Sequence, residues 1–325
     1  MLRKEPLVTI GSLCYNTGKY VIETLKSVKS QTYTNIEHII IDDCSADDSV
    51  SLVRKWIEEN NYKCTFIQHD ENKGVHASLN EILEKGNGKY ISFVSDDILT
   101  ENKIADLVEV LEKVGDEYGV AYGDMSYIDD KGDDIGNSTW FDDKFYKGYL
   151  PPQGDVFHNI VYSITFFVQS SLYNLQLLRQ LNYKFDSRFI CEDWHMNLFV
   201  TRHCKAVGSR AVYCKYRYRD NSITATNWTD ERMHKVLLSQ IAMFDEVYKY
   251  PKNTIEDKLV IYKKMHALAL QLYASKKISR LEKFIISFDL FKKQPSFKNI
   301  MKSVVLLIFG KLSHNKDVLI FFRVI

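Results

Sequence analysis

Three apolar runs each end on a pair of acids, and this pattern restricts the fold more than any other feature of the chain. Ile36-Glu37-His38-Ile39-Ile40-Ile41 leads into Asp42-Asp43, Tyr90-Ile91-Ser92-Phe93-Val94-Ser95 into Asp96-Asp97, and Phe189-Ile190-Cys191 into Glu192-Asp193. Short apolar runs bounded by polar residues read as buried strands of a parallel sheet. The carboxyl ends of such strands are where open α/β sheets build their sites. Several carboxylates aimed at one crevice repel one another unless a cation, a sugar hydroxyl or a transferable proton meets them. The pattern therefore points to an enzyme.

The spacing between the runs supports the same architecture. A strand is expected over residues 7–13, then the loop Cys14-Tyr15-Asn16-Thr17-Gly18, then a helix over 20–31 with Val21, Leu25 and Val28 on one face. The strand into Asp42-Asp43 is followed by Ser45 and Asp47 as N-cap candidates for a helix over 49–60. A strand at 64–68, Asn72-Lys73-Gly74, a helix ending near Gly86 and a strand at 90–94 complete the series. Strands alternating with helices in this way mean right-handed βαβ units. Beyond them the sequence predicts a strand at 119–128, a long irregular insertion at 129–153 containing Pro151-Pro152, and helix over 159–181. A helix over 194–203 and a last strand at 212–218 follow. Everything past Thr229 reads as helix, with Met233, Leu237, Ile241, Phe244 and Tyr248 on one stripe and Thr254 and Asp257 as a capping box.

With 325 residues, 45% of them hydrophobic, the chain can bury a sizeable core. The 6 cysteines are scattered without a C-x-x-C pair, which suits free thiols in a reducing cytosol and not a zinc site. The chain opens on a charged segment that leads into a strand, so no leader peptide is expected. No stretch reaches the roughly 18 to 20 apolar residues of a spanning helix. The net charge of +1 hides an asymmetry: from residue 263 onward 13 basic residues face 3 acids, and the remainder has 30 against 39.

Val8-Thr9-Ile10 leading to Tyr15-Asn16, and the Asp42-Asp43 strand with Ser45, Asp47 and Asp48 behind it, resemble the start of family 2 glycosyltransferases with the GT-A fold. The resemblance continues through Gln31-Thr32-Tyr33-Thr34-Asn35, Asn72-Lys73-Gly74-Val75, Asn80 and Tyr90-Ile91-Ser92-Phe93. Phe185-Asp186, Glu192-Asp193-Trp194, Tyr216-Arg217 and Asn221-Ser222 extend it over residues 7–224. It implies an α/β chain with a mainly parallel nucleotide-binding sheet flanked by helices. Residues 1–228 would form the catalytic domain, with a nucleotide-sugar half at 1–128 and an acceptor half at 129–228. A basic helical extension would occupy 229–325.

The resemblance also implies roles. Cys14, Tyr15, Asn16, Asp42, Asp43 and Lys73 would hold the nucleoside of a nucleotide-sugar, a UDP-sugar in many such families. A carboxylate accepting from a base N–H is ordinary hydrogen-bond chemistry; capping of the next helix is the plain alternative for Asp42 or Asp43. Ser95-Asp96-Asp97 falls at the family's metal motif, with Ser95 where the first acid belongs. Asp97 becomes the expected ligand of Mg²⁺ or Mn²⁺ and Asp96 a ribose contact. Asp193 would be the general base that takes the acceptor hydroxyl's proton, with Glu192 beside it, in an inverting transfer. Many members carry a histidine two residues after the arginine of the Tyr-Arg pair; here that residue is Arg219. A guanidinium cannot ligate a cation, but it can grip a diphosphate. Arg219, with Arg217, is therefore expected on the donor's phosphates, with a weaker dependence on metal. Either arginine pairing only with the surface acid Asp220 is the alternative.

Trp140, Phe141 and Tyr146 in the insertion are candidates for stacking on sugars or for pinning that segment to the body, and His195 for lining an acceptor pocket. In the tail, Ile278, Leu281, Phe284, Ile285 and Phe288 lie at helical spacing among Lys276, Lys277, Arg280 and Lys283, and residues 303–309 and 318–322 are dense apolar runs. A basic amphipathic helix reads as an interfacial binder of anionic membrane. Packing onto the body or a homodimer interface would explain the stripe as well. Membrane attachment suits a lipid-linked saccharide acceptor in cell-surface polysaccharide assembly, with the protein cytoplasmic at the inner face of the membrane. The basic residues come with no nucleic-acid recognition motif. A Rossmann dehydrogenase or methyltransferase would need a glycine-rich turn after the first strand, and Ser12-Leu13-Cys14-Tyr15-Asn16 supplies none. The remaining alternative is an inactive relative that only binds sugars or partners.

Overall fold

The computed structural model describes residues 5–144, 149–219, 229–274 and 278–293. In chain order the first elements are β1 (Val8–Cys14), α1 (Val21–Lys29), β2 (Ile36–Asp42), α2 (Ser49–Glu59), β3 (Thr65–Gln68), α3 (Val75–Lys85), β4 (Tyr90–Val94), β5 (Ile98–Leu99), α4 (Lys103–Val114) and β6 (Tyr118–Ile128). They continue with α5 (Trp140–Lys144), α6 (Phe157–Tyr162), β7 (Ser171–Asn174), α7 (Leu175–Gln180), α8 (Glu192–His203) and β8 (Lys205–Arg217). The eight strands form one sheet in the order β3-β2-β1-β4-β7-β6-β8-β5. β1 pairs in parallel with β2 and β4, and β2 with β3.

This register puts the first two acidic pairs at one end of the sheet, whereas the run at 189–191 forms no strand and the third pair opens α8. Cys14 of β1 lies opposite Asp42 of β2, and Ser12 opposite Val94 just before Ser95. The strands carry Val, Ile, Leu and Phe on both faces because helices cover both. Val8, Ile10, Ile40, Ile91 and Phe93 are all buried. On α1, Val21, Leu25 and Val28 are buried as their spacing requires.

Two sequence expectations change. No helix runs through residues 159–181: α6 stops at Tyr162, and Ser171–Asn174 becomes β7 in the middle of the sheet. β7 pairs antiparallel with both β4 and β6, so two ladders override the weak strand preference of Ser-Leu-Tyr-Asn. Asn174 then caps α7 by accepting from Leu177 N at 3.0 Å. The last strand begins at Lys205 and not at 212, running alongside β6 through three register shifts. Neither β5 nor α4 had a sequence signal that singled it out.

Contacts divide the chain into two units. One comprises residues 1–187 and 192–225; the other comprises 188–191 and 226–325. The second contains α9 (Asp230–Tyr248), α10 (Ile255–Ala274) and α11 (Arg280–Lys293). α9 buries Val236, Leu237, Met243, Phe244 and Val247, a face rotated from the expected stripe, with Met233 left exposed. Thr254 and Asp257 form the expected box: Thr254 N and Oγ1 donate to Asp257 Oδ2 at 2.8 Å, and Asp257 N donates to Thr254 Oγ1 at 3.1 Å. Ser239 Oγ on α9 accepts from Ile190 N at 2.8 Å and donates to Arg188 O at 3.1 Å, which fastens the short 188–191 segment within this unit. No helix among the described residues is long and apolar enough to cross a membrane. The expected tail runs at 303–309 and 318–322, together with Tyr146, Asp220, Asn221, Ser222, Lys276 and Lys277, lie outside the described residues.

Candidate active site

The loop after β1 and the turn after β2 are laced together. Asn16 adopts a left-handed backbone (φ 52°), which asparagine tolerates, and its N–H donates to Ser45 Oγ at 2.9 Å while its Oδ1 accepts from Ala46 N at 2.8 Å. Asp42 is fully buried, and its two oxygens accept from Ser45 N at 2.9 Å and Ser45 Oγ at 2.6 Å. Its carboxylate thus builds the turn. Cys14 is buried and accepts Asp43 N through its carbonyl, and burial, with Asp42 adding to it, pushes its thiol up to about 12. Tyr15 stands out from this layer, half exposed.

Asp43 gathers donors. Its Oδ1 accepts from Lys73 N at 2.9 Å and its Oδ2 from Gly74 N at 2.8 Å, a geometry that uses the positive φ of 84° at Gly74. His69 Nδ1 lies 2.7 Å from Asp43 Oδ1 and His69 Nε2 lies 2.9 Å from Glu81 Oε2. Carboxylates at both ring nitrogens favour the imidazolium, which donates twice. Burial opposes ionisation of Asp43, but His69 and the two backbone N–H groups outweigh it and hold the carboxyl below its usual range. Burial likewise opposes charge on His69, and Asp43 and Glu81 overcome it and raise its pKa. Lys73 enters this cluster through its backbone.

The second acidic pair meets two arginines. Arg217 ends β8 with its side chain buried; its N–H donates to Asp97 Oδ1 and its Nε to Asp96 O, both at 2.9 Å. The same guanidinium donates to Asp129 O at 3.2 Å and pairs with Glu23 on α1. Arg219 pairs with Asp96, Nη2 to Oδ2 at 2.7 Å. Both guanidiniums lie over the Tyr20 ring, 4.8 Å (Arg217) and 5.2 Å (Arg219) from its centroid. Asp97 is buried, so its carboxyl is pushed up to about 7 by desolvation and by Asp96, with the two arginines pulling the other way. Ser95, at the altered position, donates its hydroxyl to Leu13 O at 3.2 Å.

The third pair opens α8. Glu192 and Asp193 are half-buried, and Asp193 Oδ1 accepts from Trp194 N at 2.7 Å. Burial first, then the charge of Asp193, pushes Glu192 up to about 7; burial also raises Asp193. One turn on, Asn197 is fully buried and its Oδ1 accepts from Tyr173 OH at 2.7 Å, while Trp194 Nε1 donates to Ile160 O at 2.7 Å. These bonds fix the first turn of α8 from below. His195 is turned inward, buried and stacked on Tyr183, so it lines no open acceptor pocket. Phe141 is fully buried against Tyr122 and Trp140 packs on Phe167, so both pin the insertion to the body.

Several site residues gave no sequence signal. Tyr20 and Glu23 carry the arginines, Asp130 bonds both Lys19 and Tyr20, and His69 and Glu81 back Asp43. Lys103 at the start of α4 is fully buried, donating to Ser92 Oγ at 2.6 Å and Gln169 O at 2.5 Å. Burial lowers its pKa to about 8, against the pull of Cys214 and Asp97.

The glycosyl transferase family 2 model matches residues 9–174. Glycosyltransferase GlyA of Streptococcus pneumoniae serotype 4 is 26% identical over 284 residues, covering 81% of this chain and 38% of that protein. The chain thus spans less than half the length of that curated relative. The fold is that of S. aureus TarS 1–349 in complex with UDP-GlcNAc, with TM-score 0.68 and 16% identity over 96% of this chain and 88% of that one. The mannosyltransferase PcManGT of Pyrobaculum calidifontis, in complex with GDP-Man and Mn²⁺, gives TM-score 0.58 and 16% identity over 97% of this chain and 88% of that one. The mainly parallel sheet flanked by helices is the GT-A fold expected from the motifs, and C-terminal helices are present.

Proposed function

Because this chain belongs to glycosyl transferase family 2, we propose that it transfers a sugar from a nucleotide-sugar, a UDP-sugar, to a hydroxyl of a saccharide acceptor with inversion at the anomeric carbon. The observation that carries this reading is the state of Glu192-Asp193: a half-buried pair at a helix start whose carboxyls titrate above their usual range. A carboxylate raised above its usual range by burial is a stronger proton acceptor than a free one. Asp193 takes the acceptor proton as the oxygen attacks, and Glu192 orients the acceptor or the base.

The donor lies across the ends of β1, β2 and β4. Cys14, Tyr15, Asn16, Asp42, Asp43 and Lys73 form the nucleoside wall, partly through backbone groups, and Asp96, Arg217 and Arg219 face the ribose and diphosphate. Asp97, with Asp96, is where Mg²⁺ or Mn²⁺ would be held. Two hard oxygen donors suit such a cation, and a carboxyl pushed up to about 7 by burial and a like charge is relieved by one. Among the described residues no group of three or more His, Cys, Asp or Glu could hold a metal ion; hard cations of this kind take phosphate and water oxygens beside one or two carboxylates. When bound, the cation would neutralise charge on the departing diphosphate.

The acceptor would be a lipid-linked saccharide in cell-surface polysaccharide assembly, reached from the inner face of the membrane. α11 supports this placement: Leu281, Phe284, Ile285 and Phe288 are exposed on one face, with Arg280 and Lys292 on the same helix. Co-sedimentation with vesicles rich in anionic lipid should fall when Phe284 and Phe288 become Ser; unchanged binding removes the membrane from the scheme.

A panel of nucleotide-sugars, followed by thermal stabilisation and by nucleotide release with and without Mn²⁺, tests the whole reading. Stabilisation and turnover with one donor are expected. Stabilisation by a donor without any release would favour the binding-only alternative, for which Ser95 at the first acidic position speaks.

A further inference from the structure

The place between Asp96, Asp97, Arg217 and Arg219 holds two carboxyl groups and two guanidiniums before any ligand arrives. A divalent cation and a diphosphate would need that place with opposite charges. Arg219 is the group that decides between them. Its Nη2 holds Asp96 Oδ2 at 2.7 Å, and its side chain is still about a third exposed, so it can move. Its Nε is buried without a hydrogen-bond partner among the described residues, so the pair with Asp96 leaves a donor unspent. The Tyr20 face supports the guanidinium without fixing its hydrogen-bonding direction, because a cation–π contact tolerates rotation in the plane of the ring. Arg217 has no such freedom, being buried and tied to Asp96 O, Asp129 O and Glu23.

We propose that Arg219 gates the cation: without donor it occupies Asp96 and weakens metal binding, and when a nucleoside diphosphate enters it swings onto the phosphates and leaves Asp96 to the metal. The inference rests on the reading of this place as the donor site. A cation arriving alone must displace a guanidinium from one of these two carboxylates. A cation arriving after the diphosphate finds Asp96 free and phosphate oxygens present. Metal and nucleotide therefore bind with positive coupling, and by linkage each raises the other's affinity by the same factor.

The test measures Mn²⁺ binding to the full chain by the EPR signal of free Mn²⁺, and UDP binding by calorimetry, each with and without the other. In the wild type, UDP should raise Mn²⁺ affinity by about tenfold or more, and Mn²⁺ should raise UDP affinity equally. Arg219→Met should shift the two single-ligand affinities in opposite directions: Mn²⁺ alone tighter by about tenfold, UDP alone weaker by about tenfold. In Asp96→Asn, UDP should no longer tighten Mn²⁺, because the carboxylate that Arg219 vacates is gone. A general loss of structure would weaken both ligands in either variant and cannot produce these opposed shifts. The gate is overturned if Arg219→Met leaves Mn²⁺ affinity unchanged or lower while wild-type UDP binding is intact. Failure of the wild type to bind any nucleoside diphosphate, with or without Mn²⁺, would instead remove the donor site itself.

Discussion

Asp42-Asp43 and Glu192-Asp193 look alike in the sequence, each an acidic pair closing an apolar run, yet the fold gives them opposite chemistry. The first pair is surrounded by donors: Ser45 for Asp42, and His69, Lys73 N and Gly74 N for Asp43. The third has the N–H of Trp194 on Asp193 and a like charge next door. Burial is common to both, so the donors make the difference: Asp43 is held ionised, whereas Glu192 is pushed up to about 7. One pair stabilises the loops that frame the donor; the other is poised to exchange a proton. In the middle pair arginines supply counter-charge, yet burial and Asp96 still push Asp97 up to about 7.

The largest expected effect separates the roles. Asp193→Asn should lower kcat by roughly 10²- to 10⁴-fold while leaving UDP affinity within about twofold, read by single-turnover assay and calorimetry. A comparable loss of UDP affinity would make Asp193 part of the donor site and break the contrast. Asp43→Ala should act on stability, because it leaves Lys73 N and Nδ1 of a charged His69 without their acceptor, while Gly74 N keeps Asn72 Oδ1 at 3.1 Å. A loss of about 3 kcal/mol in denaturant unfolding is expected, and a change under about 0.5 kcal/mol would mean those donors have other partners.

The smallest effect concerns pH. A carboxyl whose folded pKa is raised binds more protons when folded, so its cost to stability appears as pH climbs from its unfolded value to about 7 and is complete above that. Glu192→Gln should therefore stabilise the protein at pH 8 by about 1 kcal/mol, discounted for partial exposure, and have little effect at pH 4. Asp43 runs the other way: its lowered pKa contributes stability above the unfolded value that is lost as pH falls through the folded one. Thermal melts of Glu192→Gln and of the wild type from pH 4 to pH 8 check the first sign, and melts of Asp43→Ala and of the wild type below pH 4 check the second. A Glu192→Gln variant less stable than wild type at pH 8 would refute the raised pKa.

The strand–helix alternation and the acidic strand ends were readable because each is a local pattern: apolar runs set β1, β2 and β4, and the register then places residues 14, 42 and 94 at one end of the sheet. The fourth central strand was not readable. β7 is four residues long and owes its conformation to β4 and β6, neither adjacent to it in sequence. Likewise Arg217 and Glu23 are separated by 194 positions, and nothing near either one announces their pairing. Tyr20 read as an ordinary residue at a helix start, although it carries both arginines. Arg219 was legible as a departure from the family pattern, but its partner was not: the structure pairs it with Asp96.

The most direct test of the central contrast is the pH dependence of kcat/KM between pH 5 and 9, using the donor selected by the nucleotide-sugar panel. The rate should fall about tenfold per unit below an apparent pKa near 7, set by the Glu192-Asp193 pair, and Asp193→Asn should abolish that limb along with most of the activity. A profile flat down to pH 5, or an unchanged acid limb in Asp193→Asn, would contradict the assignment of the proton to this pair.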